Sequence, residues 1–184
     1  MPDTLSELVE VIEQDDAESG VRPIPPASGE EIASVRAQVE SKFGYPLPDA
    51  YYAFLAKRDG ACVGSLLIAG TRARPLLDAR HGQPTSADTS AVVDLIGLAH
   101  EDFGFPPRVL VVASADVYYG WDAQRQTWQS AGLGNGAYRT YRSFEEMLAD
   151  ALHTAGPDVR HLMPTDFEFA SYGDDGKPVW GTKA

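Results

Sequence analysis

The order of patterned segments predicts an α+β fold: an antiparallel central sheet of five or six strands with flanking helices. Helical periodicity fills the first sixty residues, a run of short strands joined by tight turns follows, and a further helix closes the pattern near residue 150. Consecutive strands with tight connections pair antiparallel, because a parallel pair needs a long crossover. The 184 residues, 43% of them hydrophobic and 23% charged, fit one domain with appendages.

Residues 4–14 read as a helix, with Leu5, Leu8, Val9 and Ile12 as its stripe and Thr4 with Glu7 as a capping box. "QDDAESGVRPIPP" then reads as a polar, proline-rich connector, either a hinge to an N-terminal appendage (1–22) or a surface loop. A second helix spans 29–43, capped by Ser28 with Glu31 and carrying Ile32, Val35, Val39 and Phe43. Gly44 ends it and Pro46 prevents an easy restart. The third helix, 48–58, has Pro48 and Asp49 in its first turn, Tyr51, Phe54 and Leu55 on one face, and Lys57 and Arg58 before a stop at Gly60.

"VGSLLIAG" is a strand between glycines, and 70–89 reads as a long loop with room for one short strand. "SAVVDLIGLAHEDFG" is a helix stopped at Gly104, and Val109–Val112 form a strand buried on both faces. "VYYGWDA" and "TWQSAG" form a hairpin, "AYRTYRS" a further strand, and Ser143 with Glu146 opens the closing helix. "GLGNGA" (132–137) reads as a turn, since a strand follows it where a nucleotide loop needs a helix. Two short strands across "GDDGK" are expected in the tail. Phe54, Leu55, Trp121 and Phe144 are assigned to the core.

Charge narrows the function. The net charge is −12, with 12 acids against 5 bases in residues 1–60, 7 of each in 61–142, and 8 acids against 3 bases in 143–184. Such a balance repels nucleic acid and anionic membranes, and either attracts a basic protein or reflects a generally acidic cytosolic chain. No apolar run is long enough to span a bilayer. The acidic start is unlike a secretory or transit peptide, and Cys62 is the lone cysteine, so a cytoplasmic location is expected.

Catalytic and metal chemistry find little foothold. His81, His100, His153 and His161 show no i, i+3 or i, i+4 pairing, so no metal or cofactor is expected. His100 near a helix C-terminus is explained by the helix dipole. Cys62 has no activating neighbour in sequence, and no G-x-S-x-G elbow is present.

The stretch Phe43-Gly44-Tyr45-Pro46-Leu47-Pro48-Asp49, followed by Tyr51-Tyr52, Phe54-Leu55 and Asp59-Gly60, resembles the signature of the SUKH superfamily (Smi/Knr-like proteins). The proline-introduced helix "IPPASGEEIASVRAQVESKF", the segment "VLVVASADVYYGWDA" and the opening "YRSFEEMLADAL" extend the likeness over roughly residues 24–155. The extra N-terminal helix and long middle insert look like the YrhA-like branch, and residues 156–184 are an extension without a counterpart. Many relatives have Asn where Asp59 stands. The resemblance implies a bacterial immunity protein that binds and neutralises a cognate toxin, very often a nuclease, by stoichiometric contact. A regulatory interaction module is the alternative, and a small hydrolase the third reading.

The resemblance carries over no binding positions. Exposure arguments alone select Glu101 and Asp102 at a helix end, and Asp116, Tyr118 and Asp122 on the outer side of the hairpin. In that hairpin Val117, Tyr119 and Trp121 point one way, while Tyr118 and Asp122 point the other, where they either pair across strands or anchor an interface. The acidic helix at 4–18 is the alternative contact surface.

Overall fold

A computed structural model describes residues 4–132, 135–154, 168–172 and 178–181. Among them are five helices: α1 (Thr4–Glu18), α2 (Gly29–Phe43), α3 (Asp49–Leu55), α4 (Val92–Glu101) and α5 (Phe144–Thr154). Ten strands accompany them: β1 (Ala61–Val63), β2 (Leu66–Ile68), β3 (Arg74–Leu77), β4 (Pro84–Thr89), β5 (Val109–Ser114), β6 (Tyr118–Asp122), β7 (Thr127–Gly132), β8 (Asn135–Tyr141), β9 (Glu168–Tyr172) and β10 (Pro178–Gly181). Six of them form the central sheet in the order β1-β2-β5-β6-β7-β8, every neighbour antiparallel. This is the α+β architecture expected from the order of segments.

Period-two alternation assigns the faces of the sheet. Tyr119 opposes Ser130, Trp121 opposes Trp128, and Trp128 opposes Tyr141, so these residues share one face. Helix α5 covers it, and the Phe144 ring lies 5.1 Å from Trp128, 5.8 Å from Phe54 and 6.0 Å from Tyr51. The other face carries Tyr118, Gln129 and Ala131 and lies under the segment that follows α4. Strand β5, inside the sheet and covered on both sides, buries every residue from Val109 to Ala113.

The expected core residues Phe54, Leu55 and Phe144 are buried, while Trp121 is half-buried against Trp128. Phe144→Ala removes the ring that joins α3, α5 and β7. It is expected to cost about 3–5 kcal/mol, read from the urea midpoint at unchanged slope.

The caps follow the sequence. Ser28 and Glu31 form the reciprocal capping box of α2, and Gly44 closes that helix in the left-handed conformation at φ 77°. At α5 the Glu146 amide donates to Ser143 Oγ at 3.2 Å, and Glu146 accepts from the Arg142 amide at 2.7 Å. The cap expected at Thr4 rests partly on residues outside those described.

Four elements differ from expectation. Helix α1 runs to Glu18, so the supposed connector begins helical, and Leu5, Leu8, Val9, Val11 and Ile12 join the core. The helix is thus packed on the sheet layer, not hung from a hinge. "VGSLLIAG" is half of a β1–β2 hairpin that begins at Ala61. The expected 70–89 loop forms the two-stranded β3–β4 sheet, with Arg74 opposite Thr89. Strand β4, "PTSADT", was illegible because its residues are small and polar, with little hydrophobic alternation to read. Finally, α3 ends at Leu55, and Arg58 folds back into the interior instead of lying in a last exposed turn. The tail strands β9 and β10 pair antiparallel as expected, while the "GDDGK" turn and part of "GLGNGA" lie outside the described residues.

Candidate partner-binding face

The end of α4 and the β5–β6 turn bring several of the predicted residues to one side of the sheet. Glu101 is the last residue of α4 and Asp102 is its C-cap, with the Asp102 amide donating to Leu98 O at 2.9 Å. Both are exposed. Asp116 is exposed in the tight turn that the Ala115 amide closes onto Val117 O. Tyr118 is half-buried, its ring 5.3 Å from both Phe103 and Phe105. Tyr118 therefore belongs to a three-ring cluster with acids beside it in the chain, and is not a lone exposed tyrosine.

Asp122 does not belong to the exposed set. Alternation correctly placed it on the same face as Tyr118, but residues 105–108 roof that end of the face, leaving Asp122 1% exposed. Its Oδ1 accepts from the Gln124 and Arg125 amides at 3.0 Å each, which folds the β6–β7 turn. Its Oδ2 lies 3.3 Å from Arg108 Nε and 3.9 Å from Arg125 Nε. Asp122 is a structural carboxylate, unavailable to a docking partner as an exposed acid.

Sequence reasoning missed what lies beside it. Between the roof and the sheet is a cavity of about 110 Å3, with Arg108, Arg125, Asp122 and Gln129 among its walls. The available signal was Gln129 itself, a polar residue at a strand position flanked by buried neighbours.

Titratable groups elsewhere are accounted for by local structure. Ser28 amide and hydroxyl donors hold Glu31 below the usual carboxylate range, and amide donors from His81, Gln83 and Arg80 do the same for Asp78. Burial, with the Asp150 charge, pushes Tyr119 up to about 12 and also raises Tyr141. Tyr141 donates to Asp150 Oδ2 at 2.6 Å, while Arg139 holds Oδ1 at 2.8 Å. That network ties β8 to α5. Burial and the charges of Asp15 and Asp16 raise the Cys62 thiol, opposite to what a nucleophile needs. His100 Nε2 meets Val109 O at 2.8 Å and its ring is edge-on to Phe43. Among the described residues no group of three or more His, Cys, Asp or Glu could hold a metal ion, and no helix is long and apolar enough to cross a membrane.

Neither a family model nor a curated protein matches the chain.

Proposed function

We propose that this chain is a cytoplasmic, SUKH-like immunity protein that neutralises a basic cognate toxin by stoichiometric binding. The observation that carries the reading is the placement of Glu101 and Asp102. They sit, exposed, at the C-terminal end of α4, where the helix dipole disfavours negative charge. Charges held against local stability favour a role outside the fold. The half-buried Phe103 and Tyr118 supply apolar contact beside them, and the net charge of −12 gives long-range attraction to a cation-rich surface. The α+β fold with its six-stranded antiparallel sheet fits the expected architecture.

Two measurements test this. A tagged pull-down from native lysate, identified by mass spectrometry, should retain one stoichiometric basic protein with a toxin domain. Many weak partners would favour a regulatory hub instead. With that partner in hand, Glu101→Gln with Asp102→Asn should slow association and flatten its salt dependence while leaving thermal stability unchanged or slightly raised. Association that ignores both salt and these substitutions would refute electrostatic capture through this end of α4.

A further inference from the structure

Two cavities meet along the outer side of α2. One, of about 290 Å3, lies between the first half of the helix and Thr71 and Arg72, and the other, of about 450 Å3, lies between its second half and Val93 of α4. Ser34 and Gln38 line both, so the two form one trough beside the helix. The α2 residues along its middle are Ser34, Ala37, Gln38 and Ser41, all exposed and all uncharged. By contrast the exposed sides of α1 and α4 carry Glu10, Glu13, Asp94 and Glu101. Gln38 Nε2 donates to Ser34 Oγ at 3.2 Å, so these two polar groups partly satisfy each other and can be covered at reduced cost.

Charge returns at the two ends of the trough, with opposite signs. Glu30 stands at its start and Lys42 at its far end, about 18 Å away along the helix axis. Glu31, beside Glu30, is engaged by Ser28 and lies 3.4 Å from Arg72, whereas Glu30 and Lys42 form no ion pair with any described residue. A complementary occupant therefore brings a cation to the Glu30 end and an acid to the Lys42 end. It can also come close, because side chains this small let two helix axes approach to about 8 Å. A second α2 running in the opposite direction meets both conditions. A parallel one would set Lys42 against Lys42 and Glu30 against Glu30.

We infer that the trough is the contact between two copies of this chain, each α2 lying antiparallel in the other's trough about a two-fold axis. The axis passes between Ala37 and Gln38, so Ser34 faces the second copy's Ser41, and Lys42 comes within a helical turn of the second copy's Glu30. The contact is about one helix wide, below the standard interface size, so the dimer is weak, with a Kd of about 10–100 μM. Both copies carry a net charge of −12, and their general repulsion is screened at physiological salt, where the Debye length is about 8 Å. Val93 is near the start of α4 while Glu101 and Asp102 are at its end, so this contact is separate from the acidic face and does not rest on toxin binding.

Sedimentation equilibrium of the full chain, from about 5 to about 500 μM in about 150 mM salt, tests this. The average mass is expected to rise with concentration from the 19.9 kDa of one chain towards twice that. Ala37→Glu puts two like charges at the centre of the contact and should weaken the dimer about tenfold or more. Ala37 is exposed on the helix, so this variant should melt with the parent. Lys42→Glu should weaken the dimer about fivefold, and Lys42→Glu with Glu30→Lys, which exchanges the charges of the two ends, should regain most of the loss. Far-UV circular dichroism checks that each variant is folded. A monomer at every concentration would overturn the inference and leave the trough to a different protein. A dimer that persists in Ala37→Glu would place the contact on another face, and one that Ala37→Glu dissociates but the charge exchange does not restore would overturn the antiparallel arrangement.

Discussion

Arg58→Met is expected to destabilise the protein by about 3–5 kcal/mol, among the largest effects of any polar substitution in the chain. Arg58 is 0% exposed, with Nε donating to Gly60 O at 3.0 Å and Nη1 2.7 Å from Asp16 Oδ2. The Nη1–Oδ2 approach is close but not aligned as a hydrogen bond, so both Nη groups and Asp16 Oδ2 lack a directed partner. The pair is therefore held by charge, at a desolvation cost that good geometry does not offset. Removing Arg58 alone leaves Asp16 buried without the charge that opposes its protonation, so the carboxyl must either stay ionised unpaired or take up a proton. The double variant Asp16→Leu with Arg58→Met removes both desolvated charges and is expected to recover most of the loss. A double-mutant cycle by urea denaturation checks this; additive losses would show that the two residues do not act as a pair.

The same pair sets a pH dependence with an uncommon sign. Burial raises Asp16 to about 6, with Arg58 opposing the shift. The native state then holds a proton that the unfolded chain, titrating near its usual value of 3.8, has released. Stability from this group therefore falls as pH rises from about 4 to about 6 and is flat above. Asp16→Asn is expected to remove that slope, visible as a smaller change in urea midpoint between pH 4.5 and pH 7 than in the parent.

Helix α2 with its capping box, the left-handed stop at Gly44, strand β5 and the order of β5 to β8 were all legible, because each rests on local chemistry: periodicity, a Ser-x-x-Glu spacing, a glycine, an unbroken apolar run. What was not legible depends on what covers what. Alternation told which face Asp122 is on, but not that residues 105–108 close over that end. Tyr118 is half-buried instead of exposed for the same reason, since Phe103 and Phe105 reach it from a segment more than ten residues away. Arg58 was read as a helix-end cation because its partner, Asp16, lies in a different helix that looked like a connector. The cavity at Gln129 needed three separate segments to be seen at once. Long-range coverage carries no local signature, and functional sites made of it are the hardest to read from one chain.

Asp59→Ala is expected to cost about 3 kcal/mol and to loosen one part of the molecule first. Asp59, next to Arg58, is fully buried and holds the insert that contains β3 and β4. Its Oδ1 accepts from the Thr71 amide at 2.5 Å, and its Oδ2 from Thr71 Oγ1 at 2.7 Å and from the Arg74 guanidinium. The chain can approach this closely only because Gly70 has no side chain; a Cβ there would stand 2.6 Å from Asp59 O and 2.8 Å from Oδ1. Alanine at 59 leaves three donors without their acceptors at once, whereas Asp59→Asn keeps an oxygen for the Thr71 amide and an NH2 that can donate to Thr71 Oγ1, and loses the acceptor facing Arg74. Arg74 is 19% exposed and can turn to water, so the asparagine variant should cost about 1–2 kcal/mol. In hydrogen exchange the amides of Thr71, Arg74 and Thr89 should lose protection in Asp59→Ala before those of β5 do. Loss spread evenly over the sheet would mean that Asp59 stabilises the whole fold instead of latching the insert, and the latch would have to be sought in the bridge between Gly70 and Ala91.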